Sequence, residues 1–325
     1  MNRFLAVSTA LLAFCVVGAS PVLSQSWPRQ PIKIVVTFPP GGAADMLTRA
    51  IGAKMAENMG QSVVIENRPG AAGNVGITAV ARAPADGYTL GVGTLSTLAI
   101  NPALSQTLPF DARKDFIPIA KMTELPIVLA TPMELPANDL AGLIDYGRKN
   151  PDKMNYSTNG PGSSGHLVGE LINRKFGVKA AHVPYGGDAP ILNALMGQHI
   201  QLGILSAPAA TEFMRGGKVK ILAVASPQRL ATLQEVPTLA ELGHGDLSAS
   251  TWFCIVAPTG TPPEAVTVAH REFNKAMMAP ETLKVFANAG LEPAPMEIAD
   301  FQSFVRAEQD KWAGIVKTLG IKLEQ

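Results

Sequence analysis

The chain has 325 residues, 47% of them hydrophobic, 16% charged and 6% aromatic, and its 27 basic and 26 acidic residues give a formal net charge of +1. That profile is a globular protein with an aliphatic core large enough for two domains, and it excludes a disordered chain. So even a charge balance provides no field to hold nucleic acid or an anionic membrane surface, and functions of that kind are set aside.

Met1-Asn2-Arg3 precedes an uncharged run from Leu5 to Val17, and small residues follow before Gln25. A basic start, a short apolar run and a small-residue zone are the pattern of a secretory signal peptide. The run falls short of the roughly 20 residues that span a bilayer. Residues 1–24 are therefore expected to be a leader cut after Ser24, with a cut after Ser26 as the alternative. Cys15 is not read as a lipidation site, because the bulky Phe14 precedes it inside the apolar run. Losing the leader removes Arg3 and Cys15, which leaves 26 basic against 26 acidic residues and Cys254 without a partner for a disulfide. Flanked by Trp252-Phe253 and Ile255-Val256, Cys254 reads as a buried strand thiol with no charge beside it to activate it.

Beyond the leader one unit recurs: a β-branched strand, a glycine-rich turn, an amphipathic helix. Ile32 to Phe38 reads as a strand, PPGGAAD as a turn, and residues 45–60 as a helix with Met46, Ala50, Ile51, Met55 and Met59 near one face. Ser62 to Glu66 is the next strand, Asn74 to Ala83 a helix and Tyr88 to Gly93 a third strand. This βαβαβ order predicts a mainly parallel sheet covered on both faces. The pattern restarts after Asp115, with strands at Ile127 to Ala130, Met154 to Thr158, 182–185, 200–205 and 219–225. Helices fall at Asp139 to Asn150, Ser164 to Phe176, Ala189 to Met196 and Ala209 to Arg215. A strand at 251–258 and helices at Pro263 to Met278, Glu281 to Ala289 and Asp300 to Leu319 complete the chain, and these helices are expected to cover the N-terminal sheet. The expectation is an α/β protein of two doubly wound lobes, residues 25–129 with 252–325 and residues 130–251. Two crossings, near Leu129 to Thr131 and near Ser250 to Phe253, would form a hinge.

Ligands of open parallel sheets bind beyond the carboxyl ends of the strands, where turns lead into helix N-termini. Two such turns here are rich in glycine: Thr37 to Gly42, and Asn159 to His166. Glycine lets a ligand approach the main chain closely, and the free N–H groups of a helix's first turn favour an anion. Facing one another, the two turns would clamp a carboxylate without an arginine. The plainer reading of each is a βα connection with Ser163, Ser164 or Asp45 as helix cap. His166 either donates to a ligand or bonds a neighbouring carbonyl, and His182 reads as structural. Asp188 reads either as a helix cap or as a counter-charge for a ligand amine. Thr94, Ser96 and Thr97 follow the third strand and are placed to line a cleft. The turns lack the spacing of a phosphate-binding loop, the five histidines show no metal spacing, and no GxSxG elbow occurs. In GSSGH serine and histidine are close, yet no third acid orients them. No cofactor, metal or catalytic residue is expected, and the chain is not read as an enzyme.

Taken in order, WPRQPIKIVVTFPPGGAADMLTRAIG, VVIENRPGAAGNVG, APADGYTL, NPAL, LPFDARKDF, PGSSGHLVGELI, AHVPYGG, VPTLAELG and APTGTPPEAV resemble the Bug-type (TctC-type) solute receptors of tripartite tricarboxylate transporters, from Trp27 essentially to the C-terminus. The resemblance implies a type II periplasmic-binding-protein fold and a periplasmic, monomeric receptor that hands a small carboxylate to membrane permease subunits. A receptor that feeds a membrane sensor kinase is the alternative. It further implies that Phe38, Pro40, Gly41, Gly42 and Asp45 in one lobe, and Ser163, Ser164 and His166 in the other, meet the ligand carboxylate, with Thr94 and Ser96 lining the cleft. The chain departs from the pattern of many relatives at Gly186, Asp188 and Asn193, which bear on the part of the pocket that chooses among ligands.

Overall fold

A computed structural model describes residues 27–105, 107–226 and 228–320; the expected leader lies outside the described residues. The elements in chain order are β1 (Ile32–Val36), α1 (Ala43–Met59), β2 (Val63–Asn67), α2 (Asn74–Ala81), β3 (Thr89–Thr94), α3 (Asn101–Leu104), β4 (Phe116–Pro132), α4 (Leu140–Lys149), β5 (Asn155–Thr158), α5 (Ser164–Phe176) and β6 (Ala181–Pro184). There follow α6 (Asp188–Met196), β7 (Leu202–Ser206), α7 (Ala207–Arg215), β8 (Val219–Val224), β9 (Ser250–Pro258), α8 (Pro263–Met277), α9 (Pro280–Asn288) and α10 (Ile298–Leu319).

The strands form two sheets that share β4. In one the order is β2-β1-β3-β9-β4, with β1 parallel to β2 and β3 and with β9 antiparallel to both its neighbours. In the other, β4 lies antiparallel between β8 and β7, and β7-β5-β6 runs parallel. The sheets are therefore mixed and not mainly parallel. The βαβ units are parallel as expected, but a strand that carries the chain from one sheet to the other and one that brings it back must oppose each other. β4 changes partners between Pro126, opposite Ser250 of β9, and Ile127, opposite Ser206 of β7.

Each sheet is buried on both faces, which accounts for the nearly unbroken aliphatic runs of its inner strands. Helices α1, α8 and α9 cover one face of the first sheet, where Ile34, Leu47, Ile51, Phe273 and Phe286 pack with Ile255. The other face packs Ile77 and Val80 of α2 and Phe301 and Trp312 of α10 against Val35, Trp252 and Cys254. The three C-terminal helices thus clothe the N-terminal sheet. In the second sheet α6 and α7 cover one face, through Ile191, Leu195 and Ala210 against Val128 and Val224. On the opposite face Leu143 of α4 and Leu167 of α5 pack with Tyr156 and Ile204.

The stripe of α1 is rotated from its expected phase. Leu47, Ile51 and Met55 are buried while Met46 is 43% exposed. Asp45 turns inward to bond the preceding turn, and that sets which face is hidden. Among the described residues no helix is long and apolar enough to cross a membrane.

Candidate functional site

The carboxyl ends of β1, β3, β5 and β7 converge between the two sheets on a cavity of about 110 Å³. The first sheet contributes Phe38, just past β1, and Thr94 and Ser96 at the end of β3. The second contributes Asn159 past β5, the start of α5 at Ser163, Ser164 and Gly165, and Ser206 at the end of β7. The apolar wall is made by Leu125 and Ile127 of β4, Ile204 and Leu205 of β7, and Phe253 of β9. Phe38 and Phe253 stand as a tilted pair with ring centroids 5.9 Å apart. Every residue lining the cavity is uncharged.

Ser163 caps α5, its Oγ accepting the His166 N–H at 3.2 Å. That bond takes one of the hydroxyl's two lone pairs and leaves its proton to give. The N–H groups of Ser164 and Gly165, in the first turn, lie too early in the helix for an intrahelical carbonyl. Ser164 is 4% exposed, and among the described residues its hydroxyl has no hydrogen-bond partner. The cavity thus meets a cluster of donors at the positive end of a 13-residue helix. Thr94 contributes less, because its hydroxyl lies 3.3 Å from that of Thr97 and accepts the Thr97 N–H at 3.2 Å.

Asp45 lies behind the cavity. Its carboxylate is buried and accepts the Gly41 N–H at 2.9 Å, Arg49 Nε at 2.9 Å and Asn67 Nδ2 at 2.8 Å. Asn67 Nδ2 also donates to the Phe38 carbonyl at 3.1 Å. Burial alone would raise the Asp45 carboxyl, but Arg49, the Gly41 N–H and Asn67 together hold it below its ordinary value. Pro40, Gly41 and Gly42 are exposed beside the cavity, so of the first glycine-rich turn only Phe38 lines it. Gly42, not Asp45, is the N-cap of α1.

His166 likewise stands behind the wall. Its Nδ1 receives the Gly162 N–H at 3.4 Å, and its ring lies on that of His182, centroids 4.4 Å apart. His182 stacks in turn on Tyr156 at 4.9 Å, and its Nε2 is 2.8 Å from the Thr158 hydroxyl. Burial depresses the His166 imidazole, and burial together with the nearby His166 takes His182 down to about 4. Both rings are neutral supports under the α5 turn. Asp188, at the start of α6, caps nothing, since Gly187 is the N-cap. It binds Ser206 and Asn159 instead.

Ala72, Asn159, Ser206, Thr251 and Phe253 line the cavity without having been singled out from the sequence as site residues. Ala71 and Ala72 adopt φ of 46° and 52°, the left-handed region that costs a residue with a Cβ about 1 kcal/mol or more. Their PGAAGN setting was the available signal. For Ser206 it was a serine closing an apolar strand directly before Ala-Pro. Among the described residues no group of three or more His, Cys, Asp or Glu side chains is placed to hold a metal ion.

The family profile described as "Tripartite tricarboxylate transporter family receptor" matches residues 47–321. The chain belongs to that family. Protein BugT of Bordetella pertussis is 34% identical over 325 residues, which is 100% of this chain and 99% of BugT. The solved structure of the periplasmic binding protein BugD superposes with a TM-score of 0.81 at 29% identity, covering 92% of this chain and 100% of that one. The structure of R. palustris Rpa4515 with adipate gives 0.82 at 36% identity, covering 91% of this chain and 99% of that one. This tripartite tricarboxylate transporter receptor is thus a solute-binding protein of the Bug type, a kind that works in the periplasm.

Proposed function

We propose that the protein captures a small carboxylate between two closing lobes and delivers it, as a monomer, to the permease subunits of a tripartite tricarboxylate transporter. The observation that carries this reading is the start of α5: a buried serine with no hydrogen-bond partner among the described residues and two free N–H groups, facing a cavity with no charged side chain. A carboxylate there would take charge-assisted bonds worth about 1.5–3 kcal/mol each. The Phe38–Phe253 wall would cover its carbon chain. The adipate of the 36% identical Rpa4515 is a guest of that chemistry.

The lobes we assign are residues 27–126 with 250–320 and residues 127–249, a few residues from the expected bounds, and the hinge lies where β4 changes sheets at Pro126 to Ile127 and the chain returns at Ala249 to Ser250. Closure is driven by the guest's preference for the state in which both sheets reach it. In this reading the guest is carried unchanged, in keeping with Ser163 meeting the main-chain N–H of His166 and not its ring.

The test is mass spectrometry of small molecules that copurify, followed by thermal melts and calorimetry with mono- and dicarboxylates, adipate included. A guest at 100 times its dissociation constant should add about 2.7 kcal/mol of stability. Ser164→Leu, which fills the cavity beside α5, should abolish the effect. Carboxylates that leave the melt unmoved, or that bind the variant as well as the parent, refute the reading. Loss of uptake on disruption of the permease subunits tests delivery.

A further inference from the structure

Among the described residues Asp188 is the one carboxylate bonded to residues that line the cavity, and every partner it has there is neutral. Its Oδ1 accepts Asn159 Nδ2 at 3.0 Å and the Ser206 N–H at 3.4 Å, and its Oδ2 accepts the Ser206 hydroxyl. Ser206 is the N-cap residue of α7, yet its side chain makes no bond to that helix. The hydroxyl is committed to Asp188, and the α7 N-terminus has the protein's own anion beside it.

The consequence follows from counting protons. A serine hydroxyl has one, and here Asp188 holds it, while the Ser206 main-chain N–H goes to the same carboxylate. Ser206 is 6% exposed and lines the cavity, so what its side chain has left to offer there is a lone pair. Because a carboxylate only accepts, Asn159 must turn its nitrogen to Asp188, and among the described residues its amide oxygen is left without a partner. The cavity is therefore of two kinds: donors at the α5 turn, acceptors at Ser206 and Asn159 with a negative charge behind them.

We propose that Asp188 is a specificity-determining positioning residue, which makes this part of the cavity accept hydrogen bonds and so selects guests carrying one carboxylate and a hydroxyl or ammonium donor over plain dicarboxylates. The proposal rests on the carboxylate reading above. A second carboxylate beside Ser206 would meet oxygen lone pairs and the charge of Asp188, whereas a hydroxyl or ammonium would bond them. With an amide at position 188, Ser206 becomes free to accept the amide N–H and to turn its own proton to the guest.

The experiment is calorimetry on protein without residues 1–24, using the straight-chain dicarboxylates from oxalate to adipate and the ω-hydroxy and ω-amino monocarboxylates of the same lengths. At the best-fitting length a donor-bearing guest should bind the parent about tenfold or more tighter than the dicarboxylate, the factor one charge-assisted hydrogen bond supplies. Asp188→Asn and Ser206→Ala should each bring that ratio down to about threefold or less. A dicarboxylate that binds the parent equally well or better overturns the proposal without any variant. So does an unchanged ratio in Asp188→Asn, provided it melts within a few degrees of the parent; if that variant does not fold, Ser206→Ala decides by the same reading. If dicarboxylates bind best, only the role of Asp188 falls. If no guest of any series binds, the carboxylate reading has failed and this proposal falls with it.

Discussion

Asp45 accepts the main-chain N–H of Gly41 at 2.9 Å, across the turn that leads from the first strand into the first helix. The same carboxylate takes Asn67, whose amide also bonds the Phe38 carbonyl, so one buried acid sets the loop that presents Phe38 to the cavity. Asp45→Ala would strand the Gly41 and Asn67 donors and cost about 1–3 kcal/mol. Urea unfolding should register that loss, and calorimetry a weaker guest, although Asp45 does not line the cavity. The pH dependence has a definite sign. The folded carboxyl lies below its ordinary value of 3.8, so its contribution is complete above pH 3.8 and is lost as pH falls through the lower folded value. Asp45→Asn should flatten the acid limb of the stability curve in that window alone.

Gly165 brings α5 against the second sheet. A Cβ there would stand 2.9 Å from the Ile204 carbonyl oxygen and 3.3 Å from Ile204 Cγ2. Gly165→Ala must therefore push the helix start outward, and with it Ser164 and the free N–H groups. A stability loss of about 1–3 kcal/mol is expected, with guest affinity down about tenfold or more, measured by thermal melts and calorimetry. Gly177→Ala, in the left-handed C-cap of the same helix, should lower stability while leaving affinity unchanged.

The repeating strand and helix units were legible because their apolar spacing is local, and helix α5 begins and ends at the residues its pattern predicts. β4 was not. Only Ile127 to Ala130 of its 17 residues read as strand, since Pro118, Lys121 and Pro126 break the apolar run. The fold tolerates them: between Phe116 and Pro126 β4 is the sheet edge, its register slips beside Pro118, and Pro126 sits at the change of sheets. The site divides the same way. Thr94, Ser96, Ser163 and Ser164 could be found at strand and helix ends, and they do line the cavity. Asp45, His166 and Asp188 have the chemistry of ligand residues but stand behind the wall, and only their partners Gly41, His182 and Ser206 reveal it. Thr251 and Phe253 arrive from more than 80 residues beyond the α5 turn; the strand that carries them was legible, but no local pattern could announce that it meets that turn.

Cys254 is fully buried in β9, and its surroundings push the thiol up, so the reactive thiolate is scarce in the native state. In protein without residues 1–24 it is the one thiol. Its labelling by a disulfide reagent should follow the rate of global unfolding and accelerate with urea in step with it. Rapid labelling of native protein would contradict the burial of this strand.

The neighbouring His166 and His182 rings, tilted with centroids 4.4 Å apart, predict a loss of stability between neutral and mildly acid pH. Burial lowers both imidazoles, and the proximity of His166 lowers His182 further, to about 4, against an opposing pull from Glu170. An imidazole whose folded value is depressed is neutral in the fold while the unfolded chain takes up its proton, so stability is complete above about pH 6.5. It falls as pH drops and levels off near the folded value of about 4. The full shift would amount to about 3 kcal/mol, and partial contact with solvent reduces the expected loss to about 1–2 kcal/mol. His182→Phe keeps the stack and removes the ionisation, so its unfolding midpoint should vary less between pH 6.5 and 4. Guest affinity in the parent should also fall as pH drops through the depressed folded value of His166, because a proton on its Nδ1 would compete with the Gly162 N–H that this nitrogen accepts. An equal acid slope in parent and variant would show that the stack does not carry the effect.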